Sequence, residues 1–481
     1  MLAKEIFSDQ NNFINITGVP GAGKTTLAVQ IAELSKQSNV LYLSFGKENT
    51  LKVRQRLAGK ATCLSFHAFA KNGMNINSQR IVNRVTLSLI NQCTKNTEHA
   101  LHSAKELECI MVMLEMFCKS NLKLEVSHKL LDKKDTFPKL TKEDRDRVNN
   151  SFLAYWRSLW NEKSNLPITH DMYLKEFSLK KISIPYTTIL VDESQDLNDT
   201  MHELINKIYL YNKKSKIISF GDPCQQIFSF RGSSRRFLEA DFHYKLTKSY
   251  RFGSNLASLC NAFMNKQELH YYTDINSDGK GTEIIKSPPI LSIIDSIKSG
   301  KRPVLISRFN YTLWQVLKEC CENKIKCALL GGISNAEFDF LRALNQLYNG
   351  NKVRHTALVG MKYIDYKRIA KATNDRSSLL ACRFVESVGN NAELFNRMKN
   401  SVVSLKDAQV LLTTVHQAKG LEFNDAILLG DFPEVYDTQT KDLIKIKDEE
   451  AHLLYTAMSR AKKTLGIPTD LFLFYKTHVK K

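Results

Sequence analysis

The chain has no CxxC pair, no uncharged apolar run long enough to cross a bilayer, and no basic leader running into an apolar stretch. Each absence excludes something. The ten cysteines are scattered (63, 93, 109, 118, 224, 260, 320, 321, 327 and 382), and adjacent Cys320-Cys321 cannot easily chelate with Cys327 alone. Reduced thiols without structural zinc or an iron–sulfur site are therefore expected, in a cytoplasmic (nucleoid-associated) or nuclear setting. A spanning helix needs roughly 18 apolar residues, so no membrane partner is expected. Acidic residues are also few: 49 Asp and Glu face 69 Lys and Arg, a net charge of +20. That excess points to phosphate-rich partners, although a Lys-rich solvated surface would give the same number. Hydrophobic residues at 43% and aromatics at 9% exclude wholesale disorder.

At roughly 100–200 residues per domain, 481 residues allow about three folding units. Phe13–Thr17 reads as a short strand, Gly18–Thr25 as a glycine-rich turn, Thr26–Gln37 as a helix and Val40–Phe45 as another strand. Such alternation implies a parallel sheet. Long helical segments follow, including Glu106–Lys119 and Asp144–Leu159, before strands return at Thr188–Val191 and Lys216–Phe220. Further strands are expected at Pro303–Ile306, Cys327–Leu330, Val410–Thr413, Ala426–Leu429 and Thr464–Ile467. The expected architecture is α/β, two parallel-sheet cores each carrying a mainly helical insertion. The first core takes 1–75 and 185–255 with insertion 76–184; the second takes 256–333 and 405–481 with a reduced insertion at 334–404.

Gly18-Val-Pro-Gly-Ala-Gly-Lys24-Thr25 matches G-x-x-x-x-G-K-[ST] between a strand and a helix. Gly18, Gly21 and Gly23 let backbone N–H groups converge on phosphates, and the helix N-terminus adds a favourable dipole. Lys24 is expected to reach the β- and γ-phosphates of ATP, Thr25 to hold Mg²⁺, and Thr26 to join the nucleotide contacts. Ile189-Leu-Val-Asp192-Glu193 ends a buried strand with two acids, Asp192 for Mg²⁺ and Glu193 for the attacking water. Alone, an Asp-Glu pair or a glycine turn means little; after a β-prone run and beside a P-loop, the pair reads as a Walker B element.

The remaining blocks say what the nucleotide is for. Asp192-Glu-Ser-Gln195-Asp196, Gly221-Asp-Pro-Cys-Gln225-Gln-Ile-Phe228-Ser-Phe230-Arg231-Gly232 and Ser249-Tyr250-Arg251 resemble motifs II, III and IV of UvrD/Rep-type helicases of superfamily 1. Thr414-Val-His416-Gln-Ala-Lys419-Gly420-Leu-Glu422-Phe423 and Leu454-Tyr455-Thr-Ala-Met-Ser459-Arg460-Ala461 are similar to their motifs V and VI, in the same order. Ser65-Phe66-His67-Ala-Phe69-Ala70 and Thr169-His-Asp-Met-Tyr-Leu-Lys175 are similar to the F-box DNA helicase subgroup. The P-loop strand begins at residue 13, so the resemblance is to the motor alone.

The resemblance implies two RecA-like P-loop domains and an ATP-dependent 3′→5′ translocase on single-stranded DNA and its junctions with duplex. It implies that Gln225 senses the γ-phosphate, that Arg251 and Arg460 act as arginine fingers, that Tyr250 stacks on adenine and that Glu422 contacts the ribose. Phe45, Phe66, Phe228 and Phe230, with His67 and His416, match positions that touch the strand; a Phe in an apolar stretch such as Phe66 is equally a core residue. Base stacking tolerates any sequence, as a translocase requires. Two positions depart from the family. Its adenine-reading Gln would fall at Met1, Gln10 being too close to the P-loop, and Gly46 stands where Asn is usual. Repair, recombination or replication is the expected setting, with a recombinase filament as one possible target. A different class of reading is a nucleic-acid-sensing ATPase that switches a partner effector such as a nuclease, as in Gabija-type defence pairs.

Overall fold

The computed structural model describes residues 2–35, 39–57, 59–94, 103–133, 136–137, 140–234, 236, 239–279, 281–332 and 334–480. They form two units: Met1–Gly18 with Gly23–Leu246, and Val19–Ala22 with Thr247–Lys481.

The first unit is built on six parallel strands: β1 (Phe13–Gly18), β2 (Val40–Ser44), β3 (Thr62–Ser65), β4 (Thr188–Asp192), β5 (Lys216–Gly221) and β6 (Phe242–Leu246). Their order is β3-β2-β4-β5-β1-β6. Both faces are covered, which is why the inner strands read as unbroken apolar runs. The two-residue alternation splits each strand between two cores. Leu41, Leu43, Ile189, Val191 and Ile217 face the helical insertion. Val40, Tyr42, Leu190, Ile218 and Phe220 pack with Leu27, Ala28 and Ile31 of helix Lys24–Leu34. In the insertion, helices Ala104–Lys119 and Lys142–Leu159 each start at a capping box, Ser103 with Glu106 and Thr141 with Asp144. Both therefore begin two residues ahead of the first periodic residue: Ser103 and Thr141 satisfy backbone donors of the first turn. Phe117 meets Phe152 and Trp156 edge-on, with ring centroids 5.3 and 5.0 Å apart.

The second unit repeats the plan without a P-loop strand of its own. Its six parallel strands run in the order Cys327–Leu329, Val410–Thr414, Val304–Ser307, Phe423–Leu428, Ala461–Ile467 and Glu283–Lys286. Its insertion contributes helices Asn335–Tyr348, Tyr363–Ala372, Arg376–Val388 and Glu393–Ser401, which bury Phe338, Phe384 and Phe395 around Trp314. The chain passes to this unit after Leu246, where β6 leaves β1. Lys248–Ser249 already pairs with Asn276–Ser277, so the change comes earlier than the expected boundary at 255.

In the two six-stranded sheets, three strands are not expected from sequence, β3, β6 and Glu283–Lys286, and all three are sheet edges. An edge strand needs little apolar covering; Phe242, His243 and Lys245 of β6 are exposed. All ten cysteines are free thiols. Among the described residues, no helix is long and apolar enough to cross a membrane.

Candidate nucleotide site and nucleic-acid face

β1 ends at Gly18 and helix Lys24–Leu34 begins at Lys24, with Gly21 and Gly23 at φ +76° and +81°. Glycine is suited to these left-handed positions. Helix Lys24–Leu34 carries no side-chain cap, so its first N–H groups are not taken by an N-cap residue. Lys24 Nζ donates to Gly18 O at 2.6 Å, and a Cβ on Gly18 would sit 3.0 Å from Lys24 Cγ. The loop glycine thus leaves the lysine its path. Thr25 is half-buried at the same helix end, and Thr26 is exposed, its hydroxyl accepting from Arg56 at 3.0 Å.

Asp192 closes β4 opposite Ser44 of β2 and is 5% exposed. It accepts from the Tyr42 hydroxyl and, at 3.0 Å, from the Glu193 N–H. Burial, and then the Glu193 charge, push its carboxyl up to about 6 against the pull of Tyr42 and Lys24. Glu193 sits at φ 54°, ψ 42°, a left-handed conformation costly for a residue with a side chain. Gln195 donates to the Glu193 carboxylate, and its Oε1 accepts from the Asp222 N–H at 3.1 Å. Asp222 then accepts from Gln225 Nε2 at 2.6 Å. A hydrogen-bonded chain Glu193–Gln195–Asp222–Gln225 joins the end of β4 to the end of β5. Gly221 makes room for it, since a Cβ there would lie 2.6 Å from Ser194 Oγ and 2.7 Å from Gln195 Oε1. Burial also raises the Asp222 carboxyl. Neither Tyr42 nor Asp222 was singled out from sequence; both are ordinary residue types whose roles depend on the neighbouring strand.

These groups suit ATP with Mg²⁺: an uncapped helix start and a lysine for phosphate, a hydroxyl and a buried carboxylate for the ion. Thr25 and Asp192 supply only two oxygen donors, so phosphate oxygens and water would complete the coordination. Among the described residues, no group of three or more His, Cys, Asp or Glu gathers that could hold a metal ion.

Seven residues past Gly221, the chain presents an aromatic face. Phe45, just beyond β2, stacks on Phe228 at 5.6 Å and 27°, and Phe228 meets Phe230 at 6.0 Å. The Arg231 guanidinium lies 5.9, 5.2 and 5.6 Å from the Phe45, Phe228 and Phe230 rings. Phe230 is 60% exposed. Phe66 corrects the sequence expectation: it is 0% exposed and belongs to the core shared by sheet and insertion, so it offers no face to a base. His67 is partly exposed, with Nε2 3.1 Å from Asp171 Oδ1 and its ring edge-on to His170.

In the second unit, Arg251, Glu422, Ser459, Arg460 and Lys462 come together. Arg251 donates to Glu422 at 3.0 Å and to Ser459 O at 2.9 Å; Lys462 reaches the other Glu422 oxygen at 3.0 Å. Burial pushes the Glu422 carboxyl up, but the bonds and charges of Lys462 and Arg251 outweigh it and hold it below its usual value. Arg460 is 2% exposed, with Nε and both terminal nitrogens on Thr456 O, Leu421 O and Ser459 Oγ. Tyr250 is 63% exposed, with Lys248 Nζ 5.8 Å from its ring centre. The P-loop apex Val19–Ala22 groups with this unit. There Gly21 O accepts from the Tyr250 N–H at 3.0 Å, and a Cβ on Gly21 would lie 2.5 Å from Arg251 Cβ. His416 is half-buried in the short helix Val415–Ala418, capped by Thr414.

Comparison with known proteins accounts for most of the chain. Residues 3–244 match the UvrD/REP helicase N-terminal domain, and 363–470 match the UvrD-like helicase C-terminal domain. An F-box DNA helicase 1 from Gallus gallus is 25% identical over 96% of this chain and 48% of its own length. An F-box DNA helicase protein 1 from Schizosaccharomyces pombe is 23% identical over 96% of this chain and 56% of its own. The Gabija protein GajB of Bacillus cereus is 24% identical over 59% of this chain and 64% of its length. The chain spans about half the length of the F-box relatives. The P-loop, the paired acids and both matched domains make it a member of the UvrD/REP helicase family.

Proposed function

We propose that the chain is an ATP-dependent helicase that translocates 3′→5′ on single-stranded DNA. The observation that carries this reading is the bonded chain Glu193–Gln195–Asp222–Gln225, which leads from the hydrolytic acids into the segment bearing Phe228 and Phe230. ATP supplies the phosphoanhydride whose cleavage is the energy source. Lys24 and the first N–H groups of its helix would hold the phosphates, and Thr25 and Asp192 would hold Mg²⁺. Glu193 would orient the attacking water and take its proton. Gln225 would pass the state of the acids to the aromatic face. Arg251 and Arg460 would neutralise charge on the transferred phosphoryl group, Arg460 after exchanging its present carbonyl partners. Tyr250 would stack on the base and Glu422 would meet the ribose. Phe45, Phe228 and Phe230 would stack on bases of the strand, with Arg231, His67 and His416 beside it.

The test is ATP turnover with single-stranded DNA, duplex DNA and RNA, plus unwinding of duplexes carrying a 3′ or a 5′ tail. Strong stimulation by single-stranded DNA with unwinding from the 3′ tail is expected. Equal unwinding from either tail would refute the polarity.

The similarity to GajB favours a second reading, in which ATP turnover switches a partner effector. Strand displacement by the isolated chain separates the two: the motor displaces alone, whereas the switch is silent without its partner. DNA repair, recombination or replication is the proposed setting of the motor.

A further inference from the structure

Outside the site just described, the least ordinary group in the first unit is a lysine. Lys175, on helix His170–Leu179, is 0% exposed. Its Nζ donates to Ser120 O at 2.8 Å and Leu122 O at 2.7 Å, and lies 4.5 Å from the Phe117 ring centre. Burial lowers its basicity to about 8. An ammonium is costly to bury and persists only where its hydrogen bonds are well met. Here it sits at the C-terminal end of helix Ala104–Lys119, where outward carbonyls carry the negative end of the helix dipole. From the other side the buried Thr200 hydroxyl lies 2.7 Å from Cys118 O and 2.8 Å from Ser120 O. Three elements are thus tied at one knot of carbonyls: the insertion's first long helix, helix His170–Leu179 and the start of helix Asp199–Tyr211.

The knot lies next to the aromatic face. Gly232, at φ +80°, ends the turn Ser229–Arg231 that carries Phe230. A Cβ on Gly232 would lie 3.3 Å from both Cβ and Cδ of Lys119, so the Lys119 stem packs flat against this turn. Beyond it, Ser233 bridges to Asn198 and the Ser234 N–H donates to Leu197 O at 2.9 Å, two and three residues before Thr200.

We propose that Lys175 is a positioning residue for strand binding: by fixing the end of helix Ala104–Lys119, it sets the Lys119 stem against Gly232 and so orients the Phe228–Phe230 face. The inference rests on the proposed role of that face in holding single-stranded DNA. The buried ammonium tunes how firmly the strand is gripped without touching strand or nucleotide.

The experiment measures ATP turnover of the full chain against oligo-dT concentration, with basal turnover and thermal unfolding recorded alongside. Lys175→Met keeps the stem and removes the donors. A rise of about fivefold in half-saturating oligo-dT is expected, with basal turnover near wild type. Two milder variants leave the knot intact. Lys119→Ala removes the stem and should raise half-saturation similarly. Lys119→Met keeps the stem without the charge and should stay near wild type, which separates packing from direct attraction of phosphate. If Lys175→Met does not fold, the Lys119 pair decides. Wild-type half-saturation in Lys119→Ala, or equal losses in Lys119→Ala and Lys119→Met, would overturn the proposal. Absence of oligo-dT stimulation in the unmodified chain would instead refute the proposed function.

Discussion

The two units share a six-stranded parallel sheet with a helical insertion, yet their charged sites have opposite characters. In the first, acids are collected and buried: Asp192 and Asp222 lie at strand ends, held by hydroxyl, amide and backbone donors, and burial raises both carboxyls. In the second, the carboxylate Glu422 is exposed and clasped by Arg251 and Lys462, which hold it low. A cation brought close to such a carboxylate would offset the cost of its burial, which fits the Mg²⁺ role proposed for Asp192. Arginines already satisfied by a carboxylate and by carbonyls must exchange partners before they meet phosphate. One architecture therefore holds carboxylates in two opposite ways, buried among neutral donors in the first unit and exposed between cations in the second.

Five variants would break or sharpen that contrast. The largest effect is expected in the first unit. Lys24→Ala should lower ATP turnover by about a hundredfold or more with an unchanged circular dichroism spectrum, since a preorganised phosphate partner is lost. Turnover at the wild-type rate would dissolve the assignment. Glu193→Gln keeps the shape and removes the proton acceptor, so about a hundredfold loss of turnover with nucleotide binding retained should appear in parallel turnover and binding titrations.

Next comes the aromatic face. Phe230→Ala should weaken oligo-dT binding by roughly 1–3 kcal/mol, read by fluorescence anisotropy. Phe66→Leu should leave that affinity alone and cost about 1 kcal/mol or somewhat more of stability in a denaturant melt. A reversed pattern would mean that the buried ring, not the exposed one, holds the strand.

The smallest effect is on stability against pH. His202 is buried on helix Asp199–Tyr211, and burial with the Arg236 charge lowers its pKa to about 4. The unfolded chain takes up this proton near pH 6.5, before the folded one does, so stability falls as pH drops from about 6.5 towards 4. His202→Gln should flatten that stretch of the melting-temperature profile. An exposed pair such as Arg251–Glu422 should leave little mark on it, because surface ion pairs contribute only about 0–1 kcal/mol.

The P-loop, the paired acids and the inner strands could be read directly because their signals are local. Gly23 must be left-handed where it stands, and Ile189-Leu-Val is apolar because both faces of β4 are covered. Three of the four edge strands, β3, β6 and Glu283–Lys286, could not, since the exposed residues of a strand such as β6 look like those of any loop. Phe66 and Phe230 are the same residue in similar local company. Only the packing of the insertion on one sheet face buries the first, while the turn ending at Gly232 exposes the second.

The sequence by itself determined that this chain folds as two parallel α/β sheets and where the P-loop and the paired acids fall, because those signals depend on backbone conformation and adjacent residues. The tertiary structure alone decided which groups work together. Tyr42 with Asp192, Asp222 between Gln195 and Gln225, and Lys175 on the carbonyls of Ser120 and Leu122 are partnerships between residues distant in sequence. Each exists because burial makes an unmet polar group costly, and only the fold determines which partner lies within reach.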